Sequence, residues 1–160
     1  MFKRIASLSL LCALLTQGVQ AQRSAGGSSY KNAVGLRVEF GTGNTWVGPS
    51  VKHFFNEHSA GEFQLLFGNH STILDFEYQY HGTIAGAAGL RWYFGLGPAL
   101  ALYKHGSDLY LRPIVGLDYK IPGAPLNLGF DWRPTFRATH GEFGDRFTAA
   151  RFSIPMRITF

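Results

Sequence analysis

The sequence predicts an all-β fold, a closed antiparallel up-and-down barrel of eight strands. Three observations predict it. From Asn32 onward, apolar side chains alternate with polar or small ones at the period of two that sends successive residues to opposite faces of a sheet. Turn-forming stretches rich in Gly, Pro, Asn and Asp separate the alternating segments. After Leu15 no segment sustains apolar residues at helical spacing, in a chain holding 20 glycines and 15% aromatic residues.

The chain starts Met-Phe-Lys-Arg, continues with an apolar run from Ile5 to Leu15, and then has a polar stretch ending Val19-Gln20-Ala21. This reads as a secretory signal peptide over residues 1–21, cleaved after Ala21. The apolar run of about 11 residues falls short of the roughly 20 that a spanning helix needs. Cys12, the only cysteine, follows Leu10 and Leu11 inside that run rather than a small residue at its end, which argues against lipid modification. The mature chain then holds no cysteine, excluding a disulfide framework and any thiolate metal site or nucleophile. Removing Lys3 and Arg4 from the 15 basic side chains leaves 13 against 10 acidic ones, with no basic run. Nucleic acid is therefore not an expected partner. Residues 22–31, with Ser24, Gly26, Gly27, Ser28 and Ser29, read as a flexible leader, and 32–160 as one barrel domain.

The strands follow in order. The first sets Val34, Leu36, Val38 and Phe40 against Gly35, Arg37 and Glu39, and Gly41 to Asn44 turn the chain. The second, about Thr45 to Phe54, opposes Val47, Pro49 and Val51 to Gly48, Ser50 and Lys52, and Asn56 to Ala60 return it. The third and fourth form the clearest hairpin: Phe63, Leu65 and Phe67 oppose Glu62, Gln64 and Gly68, then Leu74, Phe76, Tyr78 and Tyr80 oppose Asp75, Glu77 and Gln79. After a small-residue turn from Gly82 to Gly89, the fifth places Leu90, Trp92, Phe94, Leu96, Leu100 and Leu102 against Arg91, Tyr93, Gly95, Gly97, Ala99 and Ala101. The sixth opposes Leu111, Val115, Leu117 and Tyr119 to Arg112, Gly116 and Asp118, ahead of a Pro122–Pro125 turn. The seventh opposes Leu126, Leu128, Phe130 and Trp132 to Asn127, Gly129, Asp131 and Arg133. The eighth opposes Phe152, Ile154, Met156, Ile158 and Phe160 to Arg151, Ser153, Arg157 and Thr159.

Alternation alone does not say which face is inside, but the composition of the faces does. One face carries the large apolar residues and the other mixes charges with Gly and Ala, the arrangement of a barrel that is apolar outside and filled by polar side chains inside. Lipid offers no water to backbone groups, so a spanning sheet must close on itself, with strands of about 9 to 11 residues. The fold expected is thus a transmembrane barrel. Trp46, Phe54, Phe55, Tyr80, Tyr103, Tyr110, Tyr119, Phe136 and Phe160, gathered near strand ends, suit two interfacial aromatic girdles.

The last strand, Arg151-Phe-Ser-Ile-Pro-Met-Arg-Ile-Thr-Phe160, with alternate apolar residues and a terminal Phe, resembles the assembly signal of outer-membrane β-barrel proteins. With the signal peptide and eight hairpin-linked strands, the whole mature chain resembles the small barrels of the outer-membrane protein A and X type. The resemblance implies location in the outer membrane of Gram-negative bacteria, with both termini in the periplasm. It also implies two partners, outer-membrane lipid and, through the C-terminal strand, the barrel-assembly machinery. A monomer is expected. Pro49, Pro98, Pro113, Pro134 and Pro155 depart from the pattern, since a closed barrel has no edge strand to accommodate them. The first four fall in the outer halves of their strands, where the wall can bulge; Pro155 has no such account.

The inward charges Arg37, Glu39, Lys52, Glu62, Asp75, Glu77, Arg91, Arg112, Asp118, Asp131, Arg133, Arg151 and Arg157 nearly balance, and read as a salt-bridged plug rather than an ion or proton path. His70, His105 and His140 fall one each in the three outer connections, but loop histidines with no fixed separation do not define a metal site. Ser71 beside His70, or Ser107 with His105 and Asp108, has the residue types of a lipid-modifying hydrolase or transferase without a motif around it. No residue is singled out as catalytic, cofactor-binding or metal-binding, and no cofactor is expected. The expected function is non-enzymatic, a structural or surface-binding barrel with a filled, non-conducting lumen. The alternatives are a lipid-modifying enzyme and a soluble secreted barrel for a small apolar ligand. The terminal pattern yields a first prediction: deleting Phe160 lowers the amount of protein assembled in the outer membrane while export is unchanged, as measured by fractionation. Equal membrane yield of deletion and parent would contradict it.

Overall fold

The computed structural model describes residues 30–139 and 146–160. Residues 1–21, read above as a signal peptide, leader residues 22–29 and His140 lie outside the described residues. Every regular element is a strand: β1 (Asn32–Gly41), β2 (Asn44–Phe54), β3 (Ser59–Gly68), β4 (Ser71–Thr83), β5 (Leu90–Tyr103), β6 (Gly106–Lys120), β7 (Leu126–Trp132), β8 (Thr135–Arg137), β9 (Phe147–Thr148) and β10 (Phe152–Thr159). Consecutive strands pair antiparallel from β1 to β7, and β10 pairs with both β7 and β1, which closes the sheet. β7 and β8 are one wall strand, since both pair with β6 in a single register on either side of Arg133 and Pro134. β9 continues β10 in the same way, with one extra residue in 149–151 relative to the facing strand, a β-bulge. The wall therefore has eight strands in up-and-down order, as the alternation predicts.

Local chemistry sets the hairpins. Asn69 and His70 both have positive φ, 47° and 55°, the two-residue turn whose twist matches that of paired strands. This turn, together with those at 42–43 and 104–105, marks one rim, here the distal rim. The chain ends mark the other, where Asn32 and Phe160 exchange backbone hydrogen bonds.

The faces are inverted relative to a soluble barrel. Phe63, Phe67, Phe76, Trp92, Phe94, Phe130 and Trp132 point outward and are between 39% and 53% exposed. Of the thirteen charged positions assigned inward, twelve are buried and Arg151 is nearly so. Four aromatic assignments are corrected. Trp46 and Phe54 are buried inside the barrel, Tyr110 packs against the buried cluster around Trp46, and Tyr103, exposed at the end of β5, shares the inward positions of Tyr93 and Ala101 and meets the Tyr110 hydroxyl, whereas Phe55, Tyr80, Tyr119, Phe136 and Phe160 do face outward. The physical reason is parity: Trp46 and Phe54 share the even positions of Ser50 and Lys52, and Tyr110 those of Arg112 and Asp118. Tyr30, at the end of the segment read as leader, is also buried, against Phe54.

The prolines are accommodated without an edge strand. In an antiparallel ladder a residue directs its N–H and C=O to one neighbouring strand only, so a proline breaks one ladder and leaves the other. Pro49 keeps its pairing with Leu36 of β1, while the β2–β3 ladder skips from Val47 to Ser50. Pro98 pairs with Leu111 of β6, while the β4–β5 ladder skips from Asp75 to Tyr78. Pro113 pairs with Leu96 of β5, and the register on its other side places it opposite Pro134, at the break between β7 and β8. Two donor-less residues thus share a single gap. Pro155 also acquires an account: it pairs with Arg37 of β1, and toward β7 it faces Gly129. A Cβ at Gly129 would lie 2.8 Å from the Pro155 ring, so the glycine supplies the room that the ring needs. Gly129→Ala should accordingly cost about 1–3 kcal/mol through overpacking. In a Pro155→Ala background, measured by urea titration of the refolded barrel, the same change should cost less, and an equal cost in both would reject the pairing.

Candidate functional site

The only concentrated polar chemistry among the described residues is inside the barrel, and alternation puts it there. Each wall strand turns its alternate positions to the interior and carries its charges there, so carboxylates and cations from different strands meet inside. Three tiers result.

The tier nearest the chain termini centres on Asp118 of β6. The Lys52 ammonium approaches its carboxylate at 2.7 Å, and the Tyr30 hydroxyl donates to both carboxylate oxygens, at 3.2 and 3.0 Å. Asn127 also donates to it and in turn accepts from the Arg157 guanidinium at 3.0 Å. Lys52 Nζ lies 5.0 Å from the centre of the Tyr93 ring and 5.8 Å from that of Phe54, so this buried cation has a carboxylate on one side and π-faces on others. His81 stacks on Tyr93 at 5.0 Å. The Arg91 guanidinium donates to the Glu57 carbonyl at 2.6 Å.

The middle tier has two acidic hubs. Glu62 of β3 accepts from Arg37 at 2.7 Å, from Gln79 at 2.9 Å and from Arg157. Asp131 of β7 accepts from Arg37 at 2.7 Å, from Arg133 at 2.6 Å, from the Tyr93 hydroxyl at 2.6 Å and from Ser153 at 2.9 Å. Arg37 of β1 therefore bridges β3 and β7, which are not neighbours in the wall. Toward the distal rim, Arg133 reaches Glu77 at 2.7 Å, Arg112 reaches Asp75 at 2.6 Å, and Glu39 is shared by Arg112 and Arg151.

Apolar groups close both ends of this column. At the distal end Trp46, Leu66, Ile73, Ala99 and Ala101 form a buried cluster, with the Arg151 guanidinium 4.1 Å from the centre of the Trp46 ring and the indole N–H donating to Ser71 Oγ at 2.9 Å. At the terminal end Tyr30, Ala33, Phe54 and Ala60 form a second cluster, Tyr30 meeting Phe54 edge-on at 5.1 Å.

The other candidates separate. Ser71 turns inward, with its hydroxyl donating to the Gly68 carbonyl at 2.8 Å, while His70 is exposed. His105, Ser107 and Asp108 lie along the distal rim, and Asp108 accepts from Thr139 at 2.8 Å. No hydrogen bond joins a serine to a histidine among the described residues. Nor do the described residues bring together three His, Cys, Asp or Glu side chains that could hold a metal ion. The sequence reading omitted Tyr30, His81 and the distal apolar cluster. For His81, Leu66 and Ile73 the signal was available as the parity of their own strands.

Comparison of the chain with family models, with curated proteins and with solved structures finds no match in any of the three. What the fold and the interior define together is a class: an inside-out antiparallel barrel of eight strands with a paired charge column as its core.

The column predicts a large effect from breaking one pair. Arg112→Met leaves Asp75 inside without its closest cation and should cost about 3–5 kcal/mol. Adding Asp75→Leu should restore part of the loss, and the effect should change little between low and high salt because the pair is shielded from solvent ions. Additive losses in the double variant, measured by equilibrium unfolding, would count against the pairing.

Proposed function

We propose that the protein is a non-enzymatic outer-membrane barrel with a structural or surface-binding role, whose lumen does not conduct. The observation that carries this reading is the inversion of burial: large apolar side chains ring the outside while the charges occupy the interior. In water such a surface is an aggregation liability, because soluble proteins rarely expose contiguous apolar patches larger than a few hundred Å². Against hydrocarbon it is the favoured surface, and the closed ladder leaves no strand edge to be satisfied by water. The signal peptide read in residues 1–21 and the terminal Phe160 support export to the outer membrane of a Gram-negative cell. The outward aromatics at Phe55, Tyr80 and Tyr119 toward one rim, and Phe136 toward the other, fit interfacial girdles.

The alternative of a soluble barrel holding an apolar ligand needs large apolar residues lining the lumen, where salt bridges lie instead. A conducting pore needs open space, and eight strands enclose little beyond their own side chains. The apolar closures around Trp46 and Phe54 add a barrier to ions at each end. Two measurements test the proposal. The purified chain should refold only with lipid or detergent, and refolding in aqueous buffer alone would reject the membrane reading. In planar bilayers the refolded protein should give no steady single-channel steps, and large, stable steps would move transport to first place.

A further inference from the structure

We propose that the distal rim carries a groove for the phosphate-bearing headgroup of a lipid in the adjoining leaflet, formed between the tips of the β3–β4 and β5–β6 hairpins. The inference rests on the membrane reading above and adds a site and a ligand class to it. The groove measures about 450 Å³ and is lined by His70, Ser71, Thr72, Leu102, Tyr103 and Lys104, with the Gly68 backbone. None of these is acidic. Lys104 and His70 are both exposed, and neither has an ion-pair or hydrogen-bond partner among the described residues.

The Ser71 and Tyr103 hydroxyls are already held in place and so shape the groove rather than compete for its ligand. Ser71 is tied to Gly68 and Trp46, and the Tyr103 hydroxyl is 3.0 Å from that of Tyr110. Asp108, beyond Tyr110, is turned toward Thr139 and Arg137. The positive φ of Asn69 and His70 fixes the tip that carries the imidazole. Below the tips the outward face changes character within one step: Thr72 pairs with Leu102, and the next pair on the same face is Leu74 with Leu100. A cationic and hydroxyl-bearing ledge thus stands directly above an apolar wall. That gradient matches a lipid, whose anionic headgroup and acyl chains need both, better than it matches a free anion. The groove at the opposite rim offers no such ledge: its basic residue, Arg91, is buried and bound to the Glu57 carbonyl.

The test uses the refolded full barrel in phosphatidylcholine vesicles alone, with a bisphosphorylated lipid A, or with its dephosphorylated form. Insertion is followed by heat-dependent gel mobility and bound lipid by native mass spectrometry after extraction. The variants are Lys104→Gln combined with His70→Asn, the latter because Asn tolerates the left-handed backbone at that position, and Lys31→Gln as a charge-matched control at the other rim. The parent should retain the phosphorylated lipid in preference to the dephosphorylated one. The double variant should retain about fivefold less or worse, the worth of a basic side chain beside an anionic lipid, and the control should match the parent. Failure to insert into phosphatidylcholine would overturn the membrane reading and this inference with it. Normal insertion with equal retention of the two lipids, or equal retention by double variant and control, would overturn the groove alone. Displacement of the lipid by inorganic phosphate would assign the ledge to a free anion and reject the lipid.

Discussion

Burying twelve charged side chains, with Arg151 nearly buried beside them, inside a sheet only eight strands around is the constraint on which the rest of the structure depends. Each charge withdrawn from water costs several kcal/mol unless an opposite charge and hydrogen bonds replace the lost hydration. The solution is a column in which carboxylates act as hubs: Glu62 and Asp131 each meet more than one cation, and Arg37 joins the two. Except for Arg133 with Asp131, two positions apart on one wall strand, these bridges join strands that are not hydrogen-bonded to each other. They therefore add to the backbone ladders a set of ties between opposite walls, and they require a definite stagger of the strands. A slip of one residue in any strand would turn its charges out and its apolar residues in.

The outside follows from the same constraint. With polar side chains committed to the interior, the large apolar residues have only the exterior, and the outer surface becomes a nearly continuous hydrocarbon-like wall. Aromatic rings on that wall also repair thin places in it, as the Trp92 indole does against Gly82, where a Cβ would lie 2.2 Å from the ring. The prolines fit because each interrupts a single ladder. The gap shared by Pro113 and Pro134 and the recess opposite Pro155 at Gly129 are local concessions in a wall that remains closed.

The functional reading rests on what this construction leaves available. The lumen is occupied by ion pairs with a buried apolar cluster toward each end, and the groups left exposed lie at the rims. There the two ends differ. Toward the chain termini the polar groups are gathered inward around Asp118, whereas the distal rim exposes Lys104 and His70 on hairpin tips that stand over an apolar face. The two rims therefore offer different chemistry to whatever meets them.

The alternation of apolar and polar residues is local information, carried by each strand separately, and so the sequence by itself determined the all-β class, the eight wall strands and the inward direction of all thirteen charges. Parity also held the correct direction of Trp46, Phe54 and Tyr110, although their aromatic character suggests the interface. For those residues the geometry of the pleat outweighs side-chain preference. What only the tertiary structure decided is who meets whom: that Arg37 bridges Glu62 and Asp131, that Tyr30 joins Asp118, that Pro155 lies over Gly129, and that His70 and Lys104 border one groove. Such contacts join residues far apart in the chain, up to 94 positions for Arg37 and Asp131. They depend on strand stagger and barrel closure, which are properties of the assembled sheet and leave no periodic trace in any one strand.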